Sequence, residues 1–147
     1  MSIISQVLPH AGDMVLIDEI VSLSADKIEC RTQSHRLKNN PLSMAKGLPI
    51  TAGLEYGAQA VALHGLLNST PTETHKQSPK LDARIIAVKS ASWTHDWLDQ
   101  LDQPLTICAT RLTHLDTLAQ YHVELTTSTH QTPHYQAHVT VLLSSQT

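Results

Sequence analysis

Glu55 and Gln59 stand four residues apart, inside a run from Gly53 to Leu67 whose other side chains are almost all apolar or small. In a helix that spacing is one turn, so the carboxyl and the carboxamide share a face. A carboxylate among apolar neighbours is costly, because burial disfavours its charged form. Enzymes use that cost to prepare a carboxylic acid that donates or shares a proton near neutral pH. The helix amino terminus opposes this in part, since its dipole favours negative charge. Unpaired N–H groups at the same terminus offer a place for a carbonyl oxygen and for negative charge developing on it. Residue types alone leave a second reading open, in which Glu55 only complements the helix dipole at the surface.

The chain holds 10 histidines, so no single one stands out by type. His10 lies in Leu8-Pro9-His10-Ala11-Gly12-Asp13-Met14, among turn residues just ahead of the first strand-like run. His64 is nine positions from Glu55, roughly the opposite side of a helix with 3.6 residues per turn, which suits a structural role near the carboxy-terminal dipole. His35 falls at a loop entrance; His75, His95, His114, His122, His130, His134 and His138 fall on expected strands or turns, where a histidine is usually solvated or packed. His130 and His134 have the spacing of one helix face, but Pro133 lies between them in a strand-turn region, and no metal site is expected. Cys30 and Cys108 are too far apart in sequence to suggest a disulfide framework or a zinc site. There is no Gly-x-Ser-x-Gly elbow, and Lys46-Gly47 does not extend into a phosphate loop.

What must position Glu55 and Gln59 is the helix itself, Gly53 to Leu67, which is apolar almost all round and must therefore be wrapped by something. Gly57, Ala58, Ala60, Ala62 and Gly65 allow close approach of a sheet, and Val61 and Leu63 are expected to be buried. Upstream, Met14 to Val21 and Lys27 to Thr32 read as a hairpin turned at Ala25-Asp26, followed by turn chemistry from Leu37 to Pro49. Downstream, after an excursion from Asn68 to Leu81, alternation marks strands at Ala83 to Trp93, Leu105 to Leu112, Leu118 to Thr127 and Tyr135 to Leu143. Two strands, a buried helix and four more strands predict an α+β domain whose antiparallel sheet curls around one central helix.

At 147 residues the expectation is one domain, and 41% hydrophobic with 16% charged residues suits a folded chain. A formal charge of −3 argues against a nucleic-acid partner. No stretch approaches the ~20 apolar residues of a membrane span, so no membrane insertion is expected. The start, Met1 to Gln6, lacks the pattern of a signal peptide, which leads to the expectation of a soluble, cytoplasmic protein.

Leu8-Pro9-His10 followed by Met14 to Ile20 resembles the opening of 3-hydroxyacyl-acyl-carrier-protein dehydratases. Asn39-Asn40-Pro41 resembles the turn before their active-site loop, and Gly53 to Ala60 resembles their central-helix motif, with Gln four residues after Glu. Where the common enzymes carry a catalytic His followed by Phe-Pro-Gly, this chain has Leu42 to Pro49 and no histidine. Gly47-Leu48-Pro49 is more similar to the divergent branch found with aryl polyene and related polyketide-type lipid pathways.

The resemblance implies the hot-dog fold and two subunits paired edge to edge through the strand Ala83 to Trp93, with active sites at the interface. It implies dehydration of a 3-hydroxyacyl thioester to the trans-2-enoyl product in a fatty-acid or aryl-polyene-like pathway. The substrate would ride on the phosphopantetheine of acyl carrier protein, and no metal or redox cofactor would be needed. By motif position Glu55 takes the carboxyl role and Gln59 supports it, with Gly53 and Pro49 beside the substrate. His10 replaces the missing base and is expected to face the same tunnel as Glu55. The partners implied are acyl carrier protein and either a second copy or a dehydratase paralogue. Two alternatives stand beside the enzyme reading: a non-catalytic subunit that pairs with a histidine-bearing paralogue, and an acyl thioesterase.

Overall fold

The computed structural model describes residues 15–68, 80–128 and 132–146. Its centre is α1, Gly53–Leu67, with the bounds that composition predicts. A short 3-10 turn, Ile50–Ala52, leads straight into it, and Asn68 closes it by donating its N–H to His64 O at 3.1 Å. Around α1 the described strands form one antiparallel sheet of six: β1 (Glu19–Leu23), β2 (Lys27–Thr32), β3 (Lys80–Trp93), β4 (Leu105–Leu115), β5 (Leu118–Thr126) and β6 (Tyr135–Gln146).

The spatial order is β1-β2-β4-β5-β6-β3. β1/β2, β4/β5 and β5/β6 are hairpins, as the turn signals predict. β3 instead pairs with β6 at the far edge, so the chain leaves β2, runs through α1 and crosses the whole sheet before returning. Val61 and Leu63 are fully buried, and the sheet supplies the other half of the core from alternate positions: Tyr121, Val123 and Leu125 of β5, Tyr135, Ala137 and Val139 of β6. Approach is close: a Cβ on Gly57 would lie 2.7 Å from a methyl of Val123, and one on Gly53 3.1 Å from the Tyr135 ring. At Gly57 a Cβ fits only if Val123 shifts, and at Gly53 only if the Tyr135 ring gives by a few tenths of an ångström, so it is the sheet's distance and not backbone freedom that favours glycine.

The first strand differs from its expected span. Leu16 and Ile17 are buried but lie ahead of β1, which begins at Glu19. Leu16 is withdrawn from the ladder because side chains claim its backbone: its N–H donates to Gln59 Oε1 at 2.9 Å and its carbonyl accepts from Ser34 Oγ at 2.6 Å.

Candidate functional site

Gln59 is completely buried and joins two parts of the chain. Its Oε1 accepts the Leu16 N–H at 2.9 Å, and its Nε2 donates to Glu55 Oε1 at 3.3 Å. Since a backbone N–H can meet only the carboxamide oxygen, the NH2 group is left turned toward Glu55. The i, i+4 pair read from the sequence is therefore an actual contact, and its orientation is fixed from outside the helix. Glu55 lies on the side of α1 opposite Gly53 and Gly57, which pack on the sheet. It is half-buried, in company with Leu54 and Ala58, and not enclosed as the apolar run suggests, although Gln59 and Ala62 farther along the same side are buried.

A second network fixes the turn that precedes the loop. Tyr56 OH lies 2.8 Å from Ser34 Oγ and accepts from Asn40 Nδ2 at 3.1 Å, while Asn40 also donates to Ser34 O and caps Leu42 N–H. Burial pushes the Tyr56 phenol up from its ordinary value, so it serves as a neutral hydrogen-bonding post. The Asn39-Asn40-Pro41 turn is thereby tied to the residue next to Glu55. A cavity of about 100 Å³ lies against this turn, lined by Asp18, Ser34, Asn39 and Asn40 among others. Sequence reading marked the turn but not Tyr56, whose partners lie 16 and 22 residues away.

The loop itself, Leu42 to Pro49, is clamped on the segment 96–99. Leu48 N–H donates to Asp99 Oδ1 at 3.0 Å, Leu98 N–H to Leu48 O, and Ile50 N–H to Asp96 O. The Asp99 carboxylate sits over Gly47, whose φ of +133° and missing Cβ both admit it. Pro49 is half-buried and bridged to Trp97. Gly53 is buried against Tyr135 and Leu125, and its N–H is already donated to Ile50 O in the 3-10 turn. At the entry to the helix, the N–H groups of Ile50, Ala52 and Gly53 all have carbonyl partners within the chain.

His10, the expected base, lies outside the described residues, as do His75 and His130. His64 is structural, as its position opposite Glu55 suggests: it is fully buried, with Nε2 3.1 Å from Ser24 O and Nδ1 2.6 Å from Tyr121 OH. A carbonyl can only accept, so Nε2 carries the proton and Nδ1 takes the Tyr121 hydroxyl hydrogen. Burial holds His64 below its ordinary value and drives Tyr121 up to about 12. His35 is also buried, held below its ordinary value by desolvation, with Nε2 on Leu101 O at 3.0 Å. His95 and His134 meet with their Nδ1 atoms 3.3 Å apart, beside a polar cavity of about 200 Å³ that Gln100, Asp102 and Thr127 also line. Among the described residues no three His, Cys, Asp or Glu side chains are grouped to hold a metal ion. Nor is any described helix long and apolar enough to cross a membrane.

The described architecture recurs in solved structures. A chain of the dehydratase heterocomplex ApeI:P from Xenorhabdus doucetiae superposes with a TM-score of 0.75 at 14% identity, covering 96% of this chain and 90% of that one. A thioesterase of Pseudomonas aeruginosa gives 0.57 at 11% identity, over 86% of this chain and 81% of the other. A hypothetical thioesterase of Streptococcus pneumoniae, solved with coenzyme A, gives 0.58 at 16% identity, over 87% and 86%. At such identities the likeness establishes the fold, a hot-dog fold, and leaves the chemistry to the site. No curated protein matches the chain in sequence. The family model described as ApeP dehydratase matches residues 2–147, and the chain belongs to the ApeP-like dehydratase family.

Proposed function

We propose that this chain takes part in the dehydration of 3-hydroxyacyl thioesters carried on the phosphopantetheine arm of acyl carrier protein, yielding the trans-2-enoyl thioester. A base removes a proton from the carbon beside the thioester carbonyl; an acid protonates the 3-hydroxyl, which leaves as water while the double bond forms. The observation that carries the reading is the Glu55–Gln59 contact: a half-buried carboxyl on an apolar helix, held by a carboxamide whose orientation a backbone N–H dictates. Glu55 is suited to the acid role, and Gln59 is the residue that positions it. Membership in a dehydratase family supports the reaction class.

The loop Leu42 to Pro49 has no histidine, and this bears on where the base comes from. His10 is the candidate within the chain. The other source is a histidine-bearing paralogue paired along β3, an arrangement favoured by the resemblance to a dehydratase heterocomplex and by exposed Ile86, Val88 and Trp93 on that strand.

The purified chain, alone and with such a paralogue, is tested on defined 3-hydroxyacyl carriers with product analysis. The reading expects enoyl thioester, with Glu55→Gln lowering turnover about 100-fold without loss of fold. His10→Ala lowering the chain's own activity equally assigns the base to His10, whereas turnover only in the mixture, indifferent to His10→Ala, assigns it to the paralogue. Release of free acid makes the chain a thioesterase. Absence of any product in either setting, or a Glu55→Gln variant with full turnover, overturns the proposal.

A further inference from the structure

We infer that His122 and His138 form a binding site for a divalent transition-metal cation, Cu2+ or Zn2+, on the face of the sheet turned away from α1, with Glu124 orienting His122. Tyr121 and Val123 of β5 and Ala137 and Val139 of β6 point into the core. The residues between them therefore stand on the opposite face, where His122 of β5 lies in register with His138 of β6. Their rings meet edge to face, with centroids 4.8 Å apart and planes at 77°. Only the β5/β6 pairing brings the two together, so nothing in their sequence spacing announces the site.

His122 is held as a metal ligand is held. Its Nε2 lies 2.8 Å from Glu124 Oε1, and a carboxylate can only accept, so in the neutral ring Nε2 bears the proton and Nδ1 presents a lone pair. That Nδ1 is buried and has no hydrogen-bond partner among the described residues. A ligating imidazole characteristically donates its other N–H to a carboxylate, which fixes the tautomer and raises the basicity of the ligating nitrogen. Two imidazoles on one cation, with metal–nitrogen distances of about 2.0–2.1 Å and an angle of about 90–110° between them, place their ring centroids about 4.5–5.2 Å apart. The observed separation falls inside that range. His138 is exposed, so its ring can turn to close the pair. Lys89, in register with His138 on β3, is exposed as well and can extend into water away from a bound cation. Among the described residues no third such side chain completes the group, and water fills the remaining positions.

The test titrates the untagged full chain with Cu2+ and, separately, with Zn2+ by calorimetry, and records the electron paramagnetic resonance spectrum of the Cu2+ form. Wild type is expected to bind one equivalent of either cation here, Cu2+ the tighter, with two nitrogen ligands in the spectrum. His138→Gln, a change at an exposed side chain, should weaken that binding about 100-fold with an unchanged circular dichroism spectrum, and His122→Gln should do the same. Glu124→Gln leaves both ligands in place and should weaken it about tenfold. Cation bound as tightly by His138→Gln as by wild type is held elsewhere in the chain and overturns the site. So does a wild type that binds neither cation, or a natively folded His122→Gln variant with full affinity. Should His122→Gln fail to fold, His138→Gln decides alone. Full affinity in Glu124→Gln overturns the orienting role of the carboxylate.

Discussion

The two sides of α1 use similar residues to opposite ends. On the side against the sheet, Gly53 and Gly57 let Tyr135, Leu125 and Val123 come within contact distance, and the polar group there, His64, has both ring nitrogens engaged inside the chain. On the other side Leu54, Glu55 and Ala58 remain half-buried, and the polar group, Glu55, is held by Gln59 with part of its surface left open. Small residues on the closed side are there for packing; small residues on the open side leave room. A helix that looks uniformly apolar in sequence thus has one face finished by its own sheet and, in its first turns, Leu54, Glu55 and Ala58 only half-buried on the other.

The closed side is the easier to break. Gly57→Val places branched carbon where a single Cβ is already 2.7 Å from Val123 Cγ1, and Val123 sits in the middle of a packed strand that cannot swing aside. Overpacking of this kind costs roughly 3 kcal/mol or more, and the expected outcome is a chain that unfolds at much lower urea or is recovered insoluble. Tyr121→Phe is the milder injury, removing the hydrogen that His64 Nδ1 accepts at 2.6 Å and leaving a buried acceptor unsatisfied. A loss of about 1–2 kcal/mol in urea denaturation is expected.

The same buried histidines set a pH dependence. His64 and His35 are both held below 6.5, the ordinary value, chiefly by burial. The unfolded chain binds their protons more readily than the folded one, so their contribution is complete above about pH 6.5 and is lost as pH falls through the depressed folded values. Thermal melts should show a Tm flat from pH 8 to 7 and falling below 6.5, with His64→Gln flattening that decline in part. A Tm that stays level down to pH 5 contradicts the neutral, buried state of both rings.

The contrast between the faces also marks how far the sequence could be read. The bounds of α1 follow from a proline-free run of good helix formers, and counting nine residues from Glu55 to His64 correctly puts the histidine on the far side. β2, β4, β5 and β6 follow from alternation, which is a local signal. The first strand was misplaced because Leu16 spends its N–H on Gln59, 43 residues away, and no local pattern records that choice. Tyr56 on Ser34 and Asn40, and Asp99 over Gly47, were hidden for the same reason. The Glu55–Gln59 contact was legible because both members lie on one helix, whereas His10, the expected base, lies outside the described residues.

The finest probe of the comparison is Ala58→Gln, one residue from Gly57 and on the open side. Gly57→Ala adds one methyl group and should cost about 1–3 kcal/mol against Val123, although alanine is the better helix former by ~1 kcal/mol. Ala58→Gln adds four heavy atoms, yet from a partly buried position a long polar side chain can still extend into water, and stability of the isolated chain should change by no more than ~0.5 kcal/mol. The same side chain would project from the face where Leu54 and Ala58 are only half-buried, and a second subunit or an acyl chain seated there would meet it. Near-unchanged urea denaturation together with weakened association or raised KM for the carrier substrate is the expected result. A large loss of stability from Ala58→Gln would mean that the open face is closed in solution by the chain itself, and the division between the two sides of α1 would not hold.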